Sequence, residues 1–187
     1  MGISKQQPEQ AKETYRPRKI VSGGQTGVDR GALDAAICLN IPHGGWCPQD
    51  RTAENGSIPH HYRLQETEAR EYTVRTERNV VDSDATLIVF RGVLSGGTRL
   101  TYQKATAHLK PVFLLDLESL SSWINEKVAD KSREEQPSHP AEAVDLLKWL
   151  AEGDFNVLNV AGPRESGQPG IETETARLLI RLFSRIS

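Results

Sequence analysis

Glycines, hydroxyls and arginines recur together in three short segments of this 187-residue chain, and that mixture is the chemistry of an anion receptor. The first is Ser22-Gly23-Gly24-Gln25-Thr26-Gly27, continuing into Asp29 and Arg30. The second is Arg91-Gly92-Val93-Leu94-Ser95-Gly96-Gly97-Thr98, and the third is Gly162-Pro163-Arg164-Glu165-Ser166. Paired glycines remove the Cβ atoms that would hold a ligand away from the backbone. A helix opening behind such a turn adds free N–H groups and the positive end of its dipole. Thr98 is placed to cap its helix or to donate its hydroxyl to a ligand. Arg164 brings a planar fork suited to oxyanions. Asp29 reads as a partner for Arg30, a helix cap or a general base. Trp46, in Gly44-Gly45-Trp46-Cys47-Pro48, either stacks on a flat heterocycle or covers an edge of the core.

None of the turns matches a standard nucleotide fingerprint. Gln25 stands where GxGxxG needs glycine, no GxxxxGK[ST] occurs, and the segment Pro42-His43-Gly44-Gly45-Trp46 lacks an acidic residue for a ribose. Arg30, Arg51, Arg91 and Arg99 lie in or beside the turns of a chain whose net charge is −2, so any positive field is local and nucleic acid is an unexpected partner. Cys38 reads as a core residue of the first helix and Cys47 as inert. Two cysteines without a CxxC spacing give neither a disulfide framework nor structural zinc, and a reducing cytoplasm is the expected compartment. His60-His61 has no further ligands at a fixed spacing. No apolar run is long enough for a membrane helix, no signal-type apolar segment opens the chain, and Gln6 breaks the myristoylation pattern begun by Met1-Gly2.

These turns need strands before them and helices behind. Ile20-Val21 leads into the first, and an apolar pattern follows from Val28 to Leu39. Residues 40–48 allow a short second strand before a turn-rich segment reaching Arg63, and a helix is expected over 73–82. Ala85–Phe90 is a continuous apolar run, the mark of a strand buried on both faces. A helix from the second turn to about His108, a strand at 111–115, a helix at 141–151, a strand at 156–161 and a helix from Gly170 complete the pattern. Val144, Leu147, Trp149 and Leu150 are the expected buried stripe of the 141–151 helix. The last helix carries Ile171, Leu178, Leu179, Leu182, Phe183 and Ile186 at helical spacing. Residues 1–18 read as a disordered tail and 126–140 as a charged surface loop within one domain spanning 19–187. Strands alternating with helices imply an α/β fold, a mainly parallel sheet covered on both faces. Ligands bind such sheets beyond the carboxyl ends of the strands, so the three turns are expected to meet there.

Several of these motifs, taken together, resemble a known family. They are Ser22-Gly-Gly-Gln-Thr-Gly-Val-Asp-Arg-Gly-Ala-Leu-Asp34, Ile41-Pro-His-Gly-Gly-Trp-Cys-Pro48, Arg78-Asn79 with Asp82-Ser-Asp-Ala-Thr86, Gly96-Gly-Thr98, and Asn159-Val-Ala-Gly-Pro-Arg-Glu-Ser166 with Pro169-Gly-Ile171. From about Lys19 onward the chain is similar to the molybdenum cofactor carrier family. The resemblance implies a Rossmann-like, doubly wound fold related to the lysine-decarboxylase-like, or SLOG, nucleotide-binding superfamily. It also implies a homo-oligomer (a tetramer, or a dimer) and molybdoenzymes or cofactor-synthesis proteins as partners. The implied ligand is molybdenum cofactor (a pterin phosphate with a dithiolene-held molybdenum oxo centre) or molybdate, bound for protection or delivery. Gly23, Gly24, Gln25, Thr26, Gly27, Asp29, Arg30, Trp46, Arg91, Ser95, Gly96, Gly97, Thr98, Gly162, Pro163, Arg164, Glu165 and Ser166 are the expected binding set. Val93 stands where the family often has proline, Thr52-Ala-Glu-Asn-Gly56 differs from its usual acidic turn, and 126–140 is longer than typical. Two alternatives remain: a sensor binding a nucleotide phosphate, or a phosphoribohydrolase-like enzyme of the wider superfamily. Ser95-Gly96-Gly97-Thr98-Arg99-Leu100-Thr101-Tyr102 lacks the glutamate of the hydrolase motif Pro-Gly-Gly-x-Gly-Thr-x-x-Glu.

Overall fold

The computed structural model describes residues 15–126 and 139–184. Strand β1 (Lys19–Val21) leads through the first glycine turn into helix α1 (Val28–Cys38). Then come β2 (His43–Gly44), β3 (Trp46–Cys47), a 3-10 turn at Gln49–Arg51, the hairpin β4 (Thr52–Ala53) and β5 (Gly56–Ser57), and β6 (Gln65–Glu66). Helix α2 (Tyr72–Val81), strand β7 (Ala85–Phe90), helix α3 (Gly96–Ala107), strand β8 (Val112–Asp116) and a short α4 (Ser121–Asn125) follow. The described chain closes with α5 (Ala141–Gly153), β9 (Val157–Ala161) and α6 (Ile171–Phe183).

Five strands form one sheet in the order β2-β1-β9-β7-β8, and every neighbouring pair is parallel. The chain winds outward from β1 to β2 through α1 and outward the opposite way from β7 to β8 through α3. The order therefore reverses at β9, which lies between the two halves. This is an α/β, Rossmann-like arrangement. Helices α1 and α6 pack together, α4 lies against α6, and α5 lies against β8. Ile20, Leu87, Val89, Leu115, Leu158 and Val160 point into that layer, where they meet Leu146, Leu150, Leu178, Leu179 and Phe183. The opposite layer is the α2–α3 pair, which packs over β7. It covers a more polar face, where Asn159 Nδ2 donates to Thr86 Oγ1 at 3.2 Å. Gly31 lets α1 and α6 approach closely, since a Cβ there would lie 2.3 Å from the Glu172 carbonyl oxygen.

Several expectations move. Of the supposed tail, residues 1–14 lie outside the described set, but Tyr15 packs on the core and its hydroxyl donates to the Phe155 carbonyl. Arg16 bonds the Leu39 carbonyl in the same way. The foldable chain thus starts before Lys19. Cys38 is exposed and Ile37 is 42% exposed, whereas Ala35 and Ala36 of the same turn are buried in the core. On α5 the buried positions are Ala143, Leu146 and Leu150, with Leu147 and Trp149 half-buried. Val144 faces away at 47% exposure, because the stripe follows i, i+3, i+7 from Ala143. Ile186 and residues 127–138 of the charged stretch lie outside the described residues.

Candidate functional site

Parallel pairing of β1, β9 and β7 puts the turns that follow them at one sheet edge. At two strand spacings, the first and second turns are about 10 Å apart with the third between them. The third turn touches both. Val28 N donates to the Pro163 carbonyl at 3.2 Å. Gly162 passes so close to β7 that a Cβ would lie 2.2 Å from the Val89 carbonyl. Arg91 N and O exchange hydrogen bonds with the Gln168 amide at 3.1 and 2.9 Å. Gly27, at φ 84°, has room for no side chain, since a Cβ would meet the Pro163 carbonyl at 2.4 Å.

Side chains of the protein itself take up much of the donor capacity expected for a ligand. In the first turn, Gln25 N donates to Asp29 Oδ2 at 3.3 Å, Thr26 N to Gln25 Oε1 at 3.0 Å, and Gly27 N to Glu172 Oε2 at 2.8 Å. Among the described residues no acceptor serves the amides of Gly23 and Gly24. Glu165 is the cap of α6, accepting from Gly170 N at 2.5 Å and Glu172 N at 3.0 Å. The helix starts at α1 and α6 therefore already face carboxylates. Helix α3 differs. Among the described residues, Ser95 makes no side-chain cap there, Gly96 and Gly97 are exposed, and a Cβ on either would meet nothing within 4 Å. Thr98, the next residue, is buried with its amide on the Ser95 carbonyl.

The arginines sort in the same way. Arg30 is buried, with Nε on the Gly24 carbonyl at 3.2 Å and Nη2 on Asn55 Oδ1 at 2.9 Å. Arg51 is buried and bonds four carbonyls, those of Ile58, Pro59, Tyr62 and Leu64, so it is a loop clamp. Arg91 pairs with Glu174 at 2.6 Å. Arg99 is exposed. Arg164 lies 4.7 Å above the Tyr72 ring, whose hydroxyl receives Gln25 Nε2 at 3.4 Å. Trp46 is half-buried: its Nε1 donates to Asp82 at 2.7 Å, and Arg78 covers its ring at 4.6 Å.

Two side chains outside the expected binding set reach these turns. Arg75, on α2, sits over Gly23, where a Cβ would lie 1.8 Å from Nη1. It pairs with Asp29 at 3.0 Å, so Asp29 holds Arg75 and not Arg30. Its Nε is buried without a partner among the described residues. Burial pushes the Asp29 carboxyl up, against the pull of Arg75, the Gln25 amide and Ser22. Glu54, at the tip of the β4–β5 hairpin, accepts from the hydroxyls of Thr26 and Ser166. Burial raises its carboxyl, but those bonds, the Ser166 amide and the Arg164 charge together hold it below the usual range. The glycine at 23 hints at a close neighbour, but a sequence does not say which segment supplies it. Among the described residues no cluster of His, Cys, Asp and Glu is arranged to hold a metal ion, and Cys47 is buried with its thiol pushed up by burial.

The description of the circularly permutated YpsA SLOG family matches residues 20–183. The crystal structure of a "Putative molybdenum carrier protein" from Syntrophus aciditrophicus SB superposes with a TM-score of 0.77. It is 42% identical and covers 90% of this chain and 95% of its own. No curated protein sequence matches the chain. Fold, turns and sequence similarity thus agree: this chain belongs to the circularly permutated YpsA SLOG family.

Proposed function

We propose that the protein binds molybdenum cofactor, or the molybdate group of such a ligand, at the sheet edge and protects or delivers it. The observation that carries this reading is the asymmetry of the helix starts. Those of α1 and α6 are answered by Glu172 and Glu165, whereas at the start of α3 no described residue comes within 4 Å of a Cβ on Gly96 or Gly97. The "molybdenum carrier" name of the relative 42% identical to this chain supports the choice of anion.

The residues present suit such a guest. A pterin phosphate with an oxo-molybdenum centre is anionic at two separated points, and the turns behind β1 and β7 are about 10 Å apart. Arg164 offers charge on the turn between them and Arg75 over the first turn, both beside the Tyr72 ring. The cofactor's dithiolene already holds its metal, so the absence of a thiol at the edge is no obstacle. The protein's own part is to hold the anion with main-chain amides and guanidinium groups and to keep water from it. The phosphoribohydrolase alternative has less support. Asp29 is engaged by Arg75, Glu165 caps α6, and with Gly97-Thr98 aligned on the Gly-Thr of the hydrolase motif, Thr101 occupies the position of its glutamate. The proposal extends to a cytoplasmic setting, a homo-oligomer and a molybdoenzyme or cofactor-synthesis partner.

The test is what the purified protein carries and what its variants lose. Oxidised extracts should fluoresce as pterin, with molybdenum or tungsten present by elemental analysis. Thr98→Val and Arg164→Ala should each weaken binding of molybdate or phosphate about tenfold at unchanged melting temperature, the loss of one charge-assisted contact. Full affinity in both variants, or release of free base from nucleoside monophosphates by the purified protein, would overturn the reading.

A further inference from the structure

Glu54 stands at the junction of two glycine turns that are far apart in the chain. Its carboxylate accepts from the Thr26 hydroxyl, from Ser166 Oγ at 2.5 Å and from Ser166 N at 3.2 Å. Its own amide donates to Gln25 Oε1 at 3.0 Å, and the neighbouring Asn55 Oδ1 accepts Arg30 Nη2 at 2.9 Å. Two hydroxyls and an amide, drawn from two segments and backed by Arg30 and Arg164, are the donor set of an oxyanion seat. Here a tethered carboxylate fills it.

We propose that Thr26 and Ser166 form the oxyanion subsite of the ligand-binding edge, and that Glu54 is a built-in stand-in which a tetrahedral oxyanion, a phosphate monoester or a molybdate group, must displace. The proposal rests on the reading that these turns bind an anionic ligand. The hairpin is built to let go. Its ladder is only two residue pairs long, Thr52↔Ser57 and Ala53↔Gly56, and residues 54–57 are exposed. Its base is fixed by the buried Arg51 clamp on Ile58, Pro59, Tyr62 and Leu64, so the tip can lift while the base stays. When it lifts, Arg30 keeps its Nε bond to the Gly24 carbonyl and frees Nη2 for the guest. One negative group replaces another beside Arg164, so the local charge stays nearly balanced. The stand-in also selects: a ligand too weakly charged to compete for the hydroxyls leaves the seat closed.

A closed state lowers apparent affinity by the fraction of molecules that are open. Calorimetric titration of the full chain with inorganic phosphate and, separately, with molybdate tests the idea. With the seat closed nine-tenths of the time, Glu54→Ala should bind about tenfold more tightly than the wild type, whereas Thr26→Val should bind more weakly. Hydrogen exchange supplies a second measurement on the unaltered protein, in which either anion should speed exchange at the amides of Glu54 and Asn55. The two anions ranked against each other show which guest the seat favours. Equal or weaker affinity in Glu54→Ala, or slower exchange in the hairpin on binding, overturns displacement. If Arg164→Ala has lost affinity in that case, the site reading survives without the stand-in. Folded wild type and Glu54→Ala that bind neither anion would remove both.

Discussion

Carboxylates answer several of the amides in these turns, and two of them come from far along the chain. Glu172 reaches Gly27 across 145 positions, and Glu54 reaches Ser166 across 112. Pairings of that range leave no trace in local spacing, which is why Arg91 reads from sequence as a receptor although Glu174 pairs with it from 83 positions away. At this scale one prediction concerns a side chain remote from the site. Burial, with the charges of Asp154 and Asp84 adding to it, pushes Tyr15 from 10.0 up to about 12. The folded state then holds that proton more tightly than the unfolded chain does. The resulting stability is complete below about pH 10 and is lost as pH rises through about 12. Urea titrations between pH 8 and 12 should show this fall, and Tyr15→Phe should flatten it in part. Tyr62, raised by burial and by its bond to Asp34, keeps the remaining slope.

Among the elements, α1 and α6, the helices behind the first and third turns, pack together through Gly31. Gly31→Ala places a Cβ 2.3 Å from the Glu172 carbonyl oxygen and 3.0 Å from the Thr175 Cβ. Backbone cannot swing aside as a flexible side chain can, so the helices must part, at a cost of about 1–3 kcal/mol in chemical denaturation. The displacement should also loosen the Glu172 bond to Gly27. Long elements with a strong period were legible beforehand: β7 is buried at every position, and α2 runs Tyr72–Val81 where 73–82 was expected. The β4–β5 hairpin and α4 were not, because pairs of two residues and a single helical turn carry too few positions for any period. The same limit hid part of the site. The three turns could be read from glycine doublets, whereas Glu54 and Arg75 reach them only by way of the hairpin and α2.

For the whole molecule, the decisive fact is that β9 lies at the middle of the sheet, joining β1 to β7. Without it the β1–β2 and β7–β8 pairs share no strand edge. A chain ending at residue 155 should accordingly show no cooperative urea transition, and a native-like transition in that fragment would contradict the account. Contacts of such long range also slow folding, because the loop between β1 and β9 must close before its pairing repays the lost entropy. The same topology has a consequence during synthesis. As the ribosome extrudes this polypeptide, both outer pairs emerge with no partner to bridge them, and the strand that completes the hollow leaves the exit tunnel later than all the others. A nascent copy that still lacks this strand therefore keeps its first and second turns unjoined, and the proposed anion site does not yet exist in it.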